Sequence, residues 1–147
     1  MCTKPFKNIS LGSCDGYTNI TEPWRNQAFT STSFPGFPRD DAKLVNNWWR
    51  FTGIGGDRVI PSCIASNRGG TARTVYIPST YPTTESETPT RVSAYGSWNG
   101  CYNTQFAVNV ALCPGGFYVY KPLSHTSANT GYVTCELFNT QLRTRSI

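Results

Sequence analysis

The sequence is poor in ionisable side chains. It has a single histidine, and only 14% of its 147 residues are charged, against about 25% in an average soluble domain. One histidine excludes a multi-histidine metal site and leaves few acid–base arrangements. No apolar run reaches the roughly 18 residues of a membrane span. The six cysteines include no Cys-x-x-Cys pair and no Cys–His zinc spacing. We therefore expect a soluble chain with no membrane insertion.

The even number of cysteines favours three disulfides formed in an oxidising compartment, which indicates secretion. Their sequence positions leave all fifteen pairings open. The six are Cys2, Cys14, Cys63, Cys101, Cys113 and Cys135. The first residues are not a secretory leader, so we interpret the chain as a mature form with a start methionine. N-glycosylation sequons at Asn8 and Asn19 agree with a secreted glycoprotein.

The chain carries a formal net charge of +5, which would suit an acidic partner. Its arginines are nevertheless dispersed along the sequence and form no stripe or block. A solvated, mildly cationic surface is the better interpretation, and we predict no nucleic-acid partner.

The residue pattern is typical of an all-β protein. Proline and glycine recur every few residues, and β-branched and aromatic residues fill the intervals. Phe106, Val108, Val110 and Leu112 alternate with smaller or polar residues, which is the period of a strand. A Pro-Gly-Gly turn and a second strand over 117–121 follow, which predicts an antiparallel hairpin. The other predicted strands are 47–52, 58–61, 73–77, 91–95 and 132–138.

We predict one disulfide-stapled, all-β domain around that central hairpin, with at most one short helix at 39–45. The domain covers 14–138, between an N-terminal arm (1–13) and a C-terminal tail (139–147). Two loops, 26–38 and 79–90, have no apolar period and exceed the common connection length, so we expect them to be functional.

Five ordered motifs resemble a known family. They are Glu22-Pro23-Trp24-Arg25, Trp48-Trp49-Arg50-Phe51, the stretch 56–63 ending in Pro61-Ser62-Cys63, Ser97-Trp98-Asn99-Gly100-Cys101, and the stretch 113–120 beginning Cys113-Pro114-Gly115-Gly116. They resemble the cysteine-rich extracellular domain of uromodulin, which also occurs in a pancreatic granule glycoprotein. The resemblance implies a secreted, β-rich, non-catalytic module that acts in recognition, partly through the glycans it carries. This chain has fewer cysteines than the family and no sequon in the family's glycan-bearing stretch (77–82).

The candidate catalytic groups do not predict an enzyme. Ser124 and His125 are adjacent, so on an extended chain they point to opposite sides, and no Gly-x-Ser-x-Gly elbow is present. We expect His125 to be a solvated loop residue. Glu85 and Glu87 share one loop, where solvated charges are a simpler interpretation than a glycosidase pair.

Sugar binding fits the composition better, because a pyranose needs an aromatic face and polar groups for its hydroxyls. The residues predicted to bind carbohydrate are Asp40, Asp41, Tyr81, Glu85, Glu87 and Trp98. The four carboxylates among them are also the predicted calcium ligands, since Ca²⁺ takes oxygen ligands and can bridge to sugar hydroxyls. Asp40 and Asp41 have an alternative interpretation as a helix cap, and Glu136 is a further ligand candidate.

We therefore predict a secreted lectin, calcium-dependent and directed at galactose, whose partners are glycans or glycoproteins. The competing hypothesis is a structural or adhesive module that displays its own N-glycans. Cys2 either closes an intrachain disulfide or links two copies as a homodimer.

Overall fold

The computed structural model describes residues 12–125 and 127–136, and within them the all-β prediction is confirmed. Two single 3₁₀ turns, Pro23–Arg25 and Ala42–Leu44, are the only helical segments of the described residues. The nine strands found in the described ranges are β1 (Thr18–Ile20), β2 (Trp49–Phe51), β3 (Arg58–Val59), β4 (Arg73–Tyr76), β5 (Thr90–Ser97), β6 (Thr104–Cys113), β7 (Phe117–Pro122), β8 (Thr130–Tyr132) and β9 (Thr134–Cys135). No helix in this part of the chain has the length and apolar character needed to cross a bilayer.

Seven strands form one sheet in the order β1-β2-β7-β6-β5-β4-β8, and β3 pairs with β9 in a small second sheet. The three longest strands, β5, β6 and β7, lie side by side at the centre and are antiparallel. β6 and β7 are joined by a tight turn in which Gly115 and Gly116 both have positive φ. A residue with a side chain would be strained at these two positions.

The strand predicted at 132–138 differs from the structure. β8 ends at Tyr132 and β9 begins at Thr134, while positions 137 and 138 lie outside the described residues. The backbone N–H of Val133 donates to Val75 of the large sheet, and its carbonyl accepts from Ile60 beside the small sheet. The chain therefore crosses from one sheet to the other at Val133. The helix predicted at 39–45 is reduced to the 3₁₀ turn Ala42–Leu44.

The main core lies on one face of the large sheet, which we call the inner face. Phe106, Val108 and Val110 of β6 are buried there, as the alternation predicts. Leu44 and Tyr81, from the segments that cover this face, belong to the same cluster. Truncation of such residues costs about 2–5 kcal/mol of stability.

The opposite face, which we call the outer face, is covered at two ends by smaller apolar clusters. The first contains Ala111, Cys113 and Val119 with Trp48, and the second contains Tyr76, Tyr95 and Val133. A disulfide lies in each cluster. Cys14–Cys113 closes the first and Cys63–Cys101 closes the second. The two disulfides thus attach the covering segments to the two ends of the outer face.

Two of the three predicted disulfides are present among the described residues. Cys135 of β9 is half-buried and forms no disulfide within the described residues. Cys2 lies outside the described residues, as do the rest of the N-terminal arm up to residue 11 and the predicted tail.

Candidate functional site

Between the two apolar clusters, the outer face carries a polar strip. Its six residues alternate with core residues along β5, β6 and β7, so all of them point away from the main core. They are Arg91, Ser93, Gln105, Ala107, Asn109 and Lys121. The strand register places Arg91, Asn109 and Lys121 in one row across the sheet, with Ser93 beside Ala107 in the next. From Gln105 to Asn109 the strip extends about 13 Å along β6.

A cavity of about 540 Å³ opens at one end of the strip. Its polar lining residues are Arg91, Ser93 and Gln105 of the strip and Ser124, which follows β7, and its apolar lining residues are Val92, Phe106 and Ala107. The Gln105 amide donates a hydrogen bond of 3.1 Å to the hydroxyl of Ser93, which holds the two side chains together. Amide, hydroxyl and guanidinium groups supply both donors and acceptors. This combination can bind a ligand that is rich in hydroxyl groups.

Aromatic side chains border the strip. Trp48 is half-buried, and the ammonium of Lys121 lies 5.9 Å from the centre of its ring. On the other side, Tyr95 contacts Tyr102 edge-to-face at 5.0 Å, and Tyr102 is 72% exposed. Aromatic rings that are at least partly exposed, beside hydrogen-bonding groups, match the two faces of a pyranose.

Asp41, predicted as a calcium and sugar ligand, lies in the interior with only 1% of its surface exposed. Both of its oxygens accept hydrogen bonds of 2.7 Å from the guanidinium of Arg25. Burial alone would lower the pKa of Arg25, but the carboxylates of Asp41 and Glu22 raise it overall, so Arg25 keeps its charge in the interior. Asp41 therefore has no free oxygen for a ligand at the surface.

Asp40, its neighbour, fixes two backbone turns. One oxygen accepts the N–H of Ala42 and the other accepts the N–H of Asn129, both at 2.8 Å. The first bond closes an Asx turn that leads into the 3₁₀ turn, whose N-cap residue is Asp41 and has no side-chain cap bond. The ring nitrogen Nε2 of His125 lies 3.0 Å from Asp40, outside hydrogen-bonding geometry.

His125 differs from its prediction as a solvated residue, because its side chain is only 11% exposed. Its ring stacks on Phe106, with the two centroids 5.9 Å apart. This stacking on an apolar ring accounts for the burial of a residue that the sequence places in a loop.

Two aromatic residues of the predicted site are engaged by other parts of the fold. Tyr81 is 5% exposed, and its hydroxyl donates to the backbone carbonyl of Val59. Burial raises the pKa of Tyr81 to about 12. Trp98 is half-buried under the guanidinium of Arg73, which lies 4.5 Å from its ring centre. Tyr81 is thus in the core, while Trp98 lies away from the polar strip.

The predicted calcium ligands are not brought together. Asp40 lies near Phe106, at the start of β6, through its contact with His125. Glu85 and Glu87 are exposed on the loop that is bonded to Leu112, near the end of β6. Six residues of strand, about 20 Å, separate the two ends. Within the described residues, no three His, Cys, Asp or Glu side chains are grouped to hold a metal ion. The four carboxylates do not fit one calcium site.

Except for Trp98, the predicted site residues lie on or beside the two long loops, and none of them belongs to the polar strip. Part of the strip could have been found from the alternation of side chains along β5, which places Arg91, Ser93 and Tyr95 on one face of the strand. Pairing of β5 with β6 joins these residues to Gln105 and Asn109, and that pairing cannot be inferred from either strand alone.

The chain has recognisable relatives. A family model described as a uromodulin-like domain matches residues 49–135, which include the whole polar strip. Uromodulin of Mus musculus is 31% identical over 128 residues, which cover 87% of this chain and 19% of that protein. Pancreatic secretory granule membrane major glycoprotein GP2 of Homo sapiens is 29% identical over 131 residues, which cover 88% of this chain and 23% of that protein. The chain therefore spans about a fifth of the length of these curated relatives.

Proposed function

This chain belongs to the uromodulin-like domain family, and from that premise we propose that it is a secreted, non-enzymatic carbohydrate-binding module. The single observation that carries the proposal is the 540 Å³ cavity of the polar strip. Its volume is in the range of small-molecule sites. Its hydroxyl, amide and guanidinium groups match the hydrogen-bonding needs of a sugar.

Secretion is supported by the disulfides and by one sequon. Cys14–Cys113 and Cys63–Cys101 are both intrachain bonds, and such bonds persist in oxidising compartments. Asn19, on the edge strand β1, is exposed together with Thr21 of its sequon. A glycan attached there would leave the core undisturbed.

A glycan array tests the proposal, and it is run with and without a chelator. We expect binding to at least one glycan class, and Gln105→Ala should weaken that binding about tenfold, the effect of losing roughly one hydrogen bond. Gln27→Ala, a second exposed glutamine outside the strip, is the matched control and should bind like wild type. Calcium dependence stays a prediction, and the array measured with chelator tests it. A preference for galactose also stays a prediction, and the galactose-terminated glycans on the array test it.

The absence of binding to every glycan would reject the carbohydrate-binding proposal. A structural or adhesive module that displays its own N-glycan would then be the better account, and the exposed sequon at Asn19 favours that second candidate. Mass spectrometry of the secreted protein before and after enzymatic deglycosylation decides whether Asn19 carries a glycan.

A further inference from the structure

We infer that the polar strip selects acidic glycans, whose sugars bear a carboxylate or a sulfate group; this inference rests on the proposed function. Arg91, Asn109 and Lys121 occupy paired positions on β5, β6 and β7. Two interstrand spacings separate the cationic residues, so their backbones lie about 9–10 Å apart. A cation thus stands at each end of the row, with an amide between them.

Neither cation is neutralised within the described part of the chain. Arg91 and Lys121 form no ion pair there, whereas Arg25 and Arg39 both pair with Glu22. Among the acidic residues, Asp41 is buried against Arg25, and Asp40 accepts backbone N–H groups. The side chain of Glu87 lies against Gly12. The two cations of the row therefore keep their charge available for a ligand.

Arg91 also lines the cavity, so one cation is adjacent to the groups that suit sugar hydroxyls. A guanidinium can bind a carboxylate or a sulfate through two parallel hydrogen bonds, which adds both strength and geometric selectivity. Lys121 supplies a point charge at the far end of the row. Ser93 and Gln105 are then left for the hydroxyl groups of the same ligand.

The test compares pairs of oligosaccharides that differ only in charge. One pair is a sialylated oligosaccharide and its desialylated form, and the other is a sulfated oligosaccharide and its unsulfated form. We expect the acidic member of at least one pair to bind about tenfold or more tightly, with an advantage that falls as salt is added. The two pairs distinguish a carboxylate from a sulfate.

Two substitutions locate the effect on the strip. Arg91→Gln should bring the ratio of acidic to neutral binding close to one, and Lys121→Gln should reduce it by a smaller factor. Arg68→Gln and Lys43→Gln remove exposed cations elsewhere and should leave the ratio unchanged. Thermal unfolding of each variant shows that the fold is retained.

Each other outcome has a distinct meaning. Equal binding of acidic and neutral members would overturn this inference and leave the carbohydrate-binding proposal standing, whereas no binding to any glycan would overturn both. Equally tight binding of a random-sequence oligonucleotide would also overturn the inference, because it would indicate a general polyanion surface.

Discussion

Arg25 and Asp41, sixteen residues apart in sequence, form a two-point ion pair in the interior of the protein, with both N···O distances at 2.7 Å. Arg25 also donates to the carbonyl of Tyr132, and Asp41 accepts the N–H of the same residue. The pair therefore fastens the 3₁₀ turn Pro23–Arg25 and the segment before Ala42 to the edge strand β8. This geometry gives Asp41 a structural role.

Replacing Asp41 by alanine should lower the free energy of unfolding by about 3–5 kcal/mol, because Arg25 is left buried without its main partner. Chemical denaturation measures the change. If Asp41→Ala does not fold, Asp41→Asn, which keeps the side-chain shape, provides the same comparison. Asp15→Ala removes an exposed carboxylate and should change stability by less than about 0.5 kcal/mol. A loss of under about 1 kcal/mol for Asp41→Ala would contradict the structural role.

Asp40→Ala should lower the free energy of unfolding by less than Asp41→Ala, about 0.5–2 kcal/mol, because two backbone N–H groups lose their acceptor. Its carboxylate is at the surface and holds two backbone N–H groups. Calorimetric titration with calcium on the same variant tests the other interpretation of this residue. Unchanged stability together with weakened calcium binding would favour a calcium ligand over a residue that fixes the two backbone turns.

The sequence predicts the local features of this fold but not the contacts between distant segments. The alternation of apolar residues with smaller or polar ones predicts β6 and the buried positions of Phe106, Val108 and Val110, because this pattern is local in sequence. Glu22 and Arg25 are only three residues apart, and their ion pair at 2.9 Å is likewise a local contact. The partner of Asp41 could not be predicted, since a contact across sixteen residues depends on how the segments pack. The polar strip was missed for the same reason.

A separate prediction concerns the loop that carries Glu85 and Glu87. Glu85→Ala and Glu87→Ala should leave the melting temperature within about 2 °C of wild type, because both side chains are exposed and such substitutions stay within about 0.5 kcal/mol. If these residues hold calcium, as the sequence predicts, each change should weaken calcium binding in a calorimetric titration. Calcium binding equal to that of wild type in both variants would reject this loop as the metal site.

The disulfides can be mapped directly. We expect peptide mapping under non-reducing conditions to find Cys14–Cys113 and Cys63–Cys101, and to place Cys2 with Cys135 as an intrachain pair. The ten residues from Cys2 to Gly12 can extend about 35 Å, a reach comparable to the domain itself. Non-reducing electrophoresis of the deglycosylated protein then gives a band near 16.3 kDa. A band of twice that mass, converted to the single one by reductant, would show that Cys2 joins two copies instead.

Alkaline pH should destabilise the fold through its buried tyrosines. The pKa of Tyr81 is about 12 in the folded protein and about 10 in an unfolded chain. Because the folded state favours the protonated phenol, this stability is complete below pH 10 and is lost as the pH rises toward 12. For Tyr81 the loss is roughly 2–3 kcal/mol.

Tyr81→Phe has no phenol to titrate, so its free energy of unfolding should fall less steeply between pH 10 and 12 than that of wild type. Buried Tyr120 also has a raised pKa and keeps part of the slope in both proteins. Identical slopes for the variant and wild type, measured by denaturant titration across this range, would show that Tyr81 is not the group responsible.

The central claim is that a glycan binds on the outer face of β5, β6 and β7, and amide chemical shifts test it most directly. The protein, labelled with ¹⁵N, is titrated with the tightest glycan from the array. We expect the largest shifts at Ser93 and Asn109 and at the side-chain amide of Gln105, with little change in the loop that carries Glu85 and Glu87. Shifts confined to that loop, with the strip unchanged, would contradict this claim.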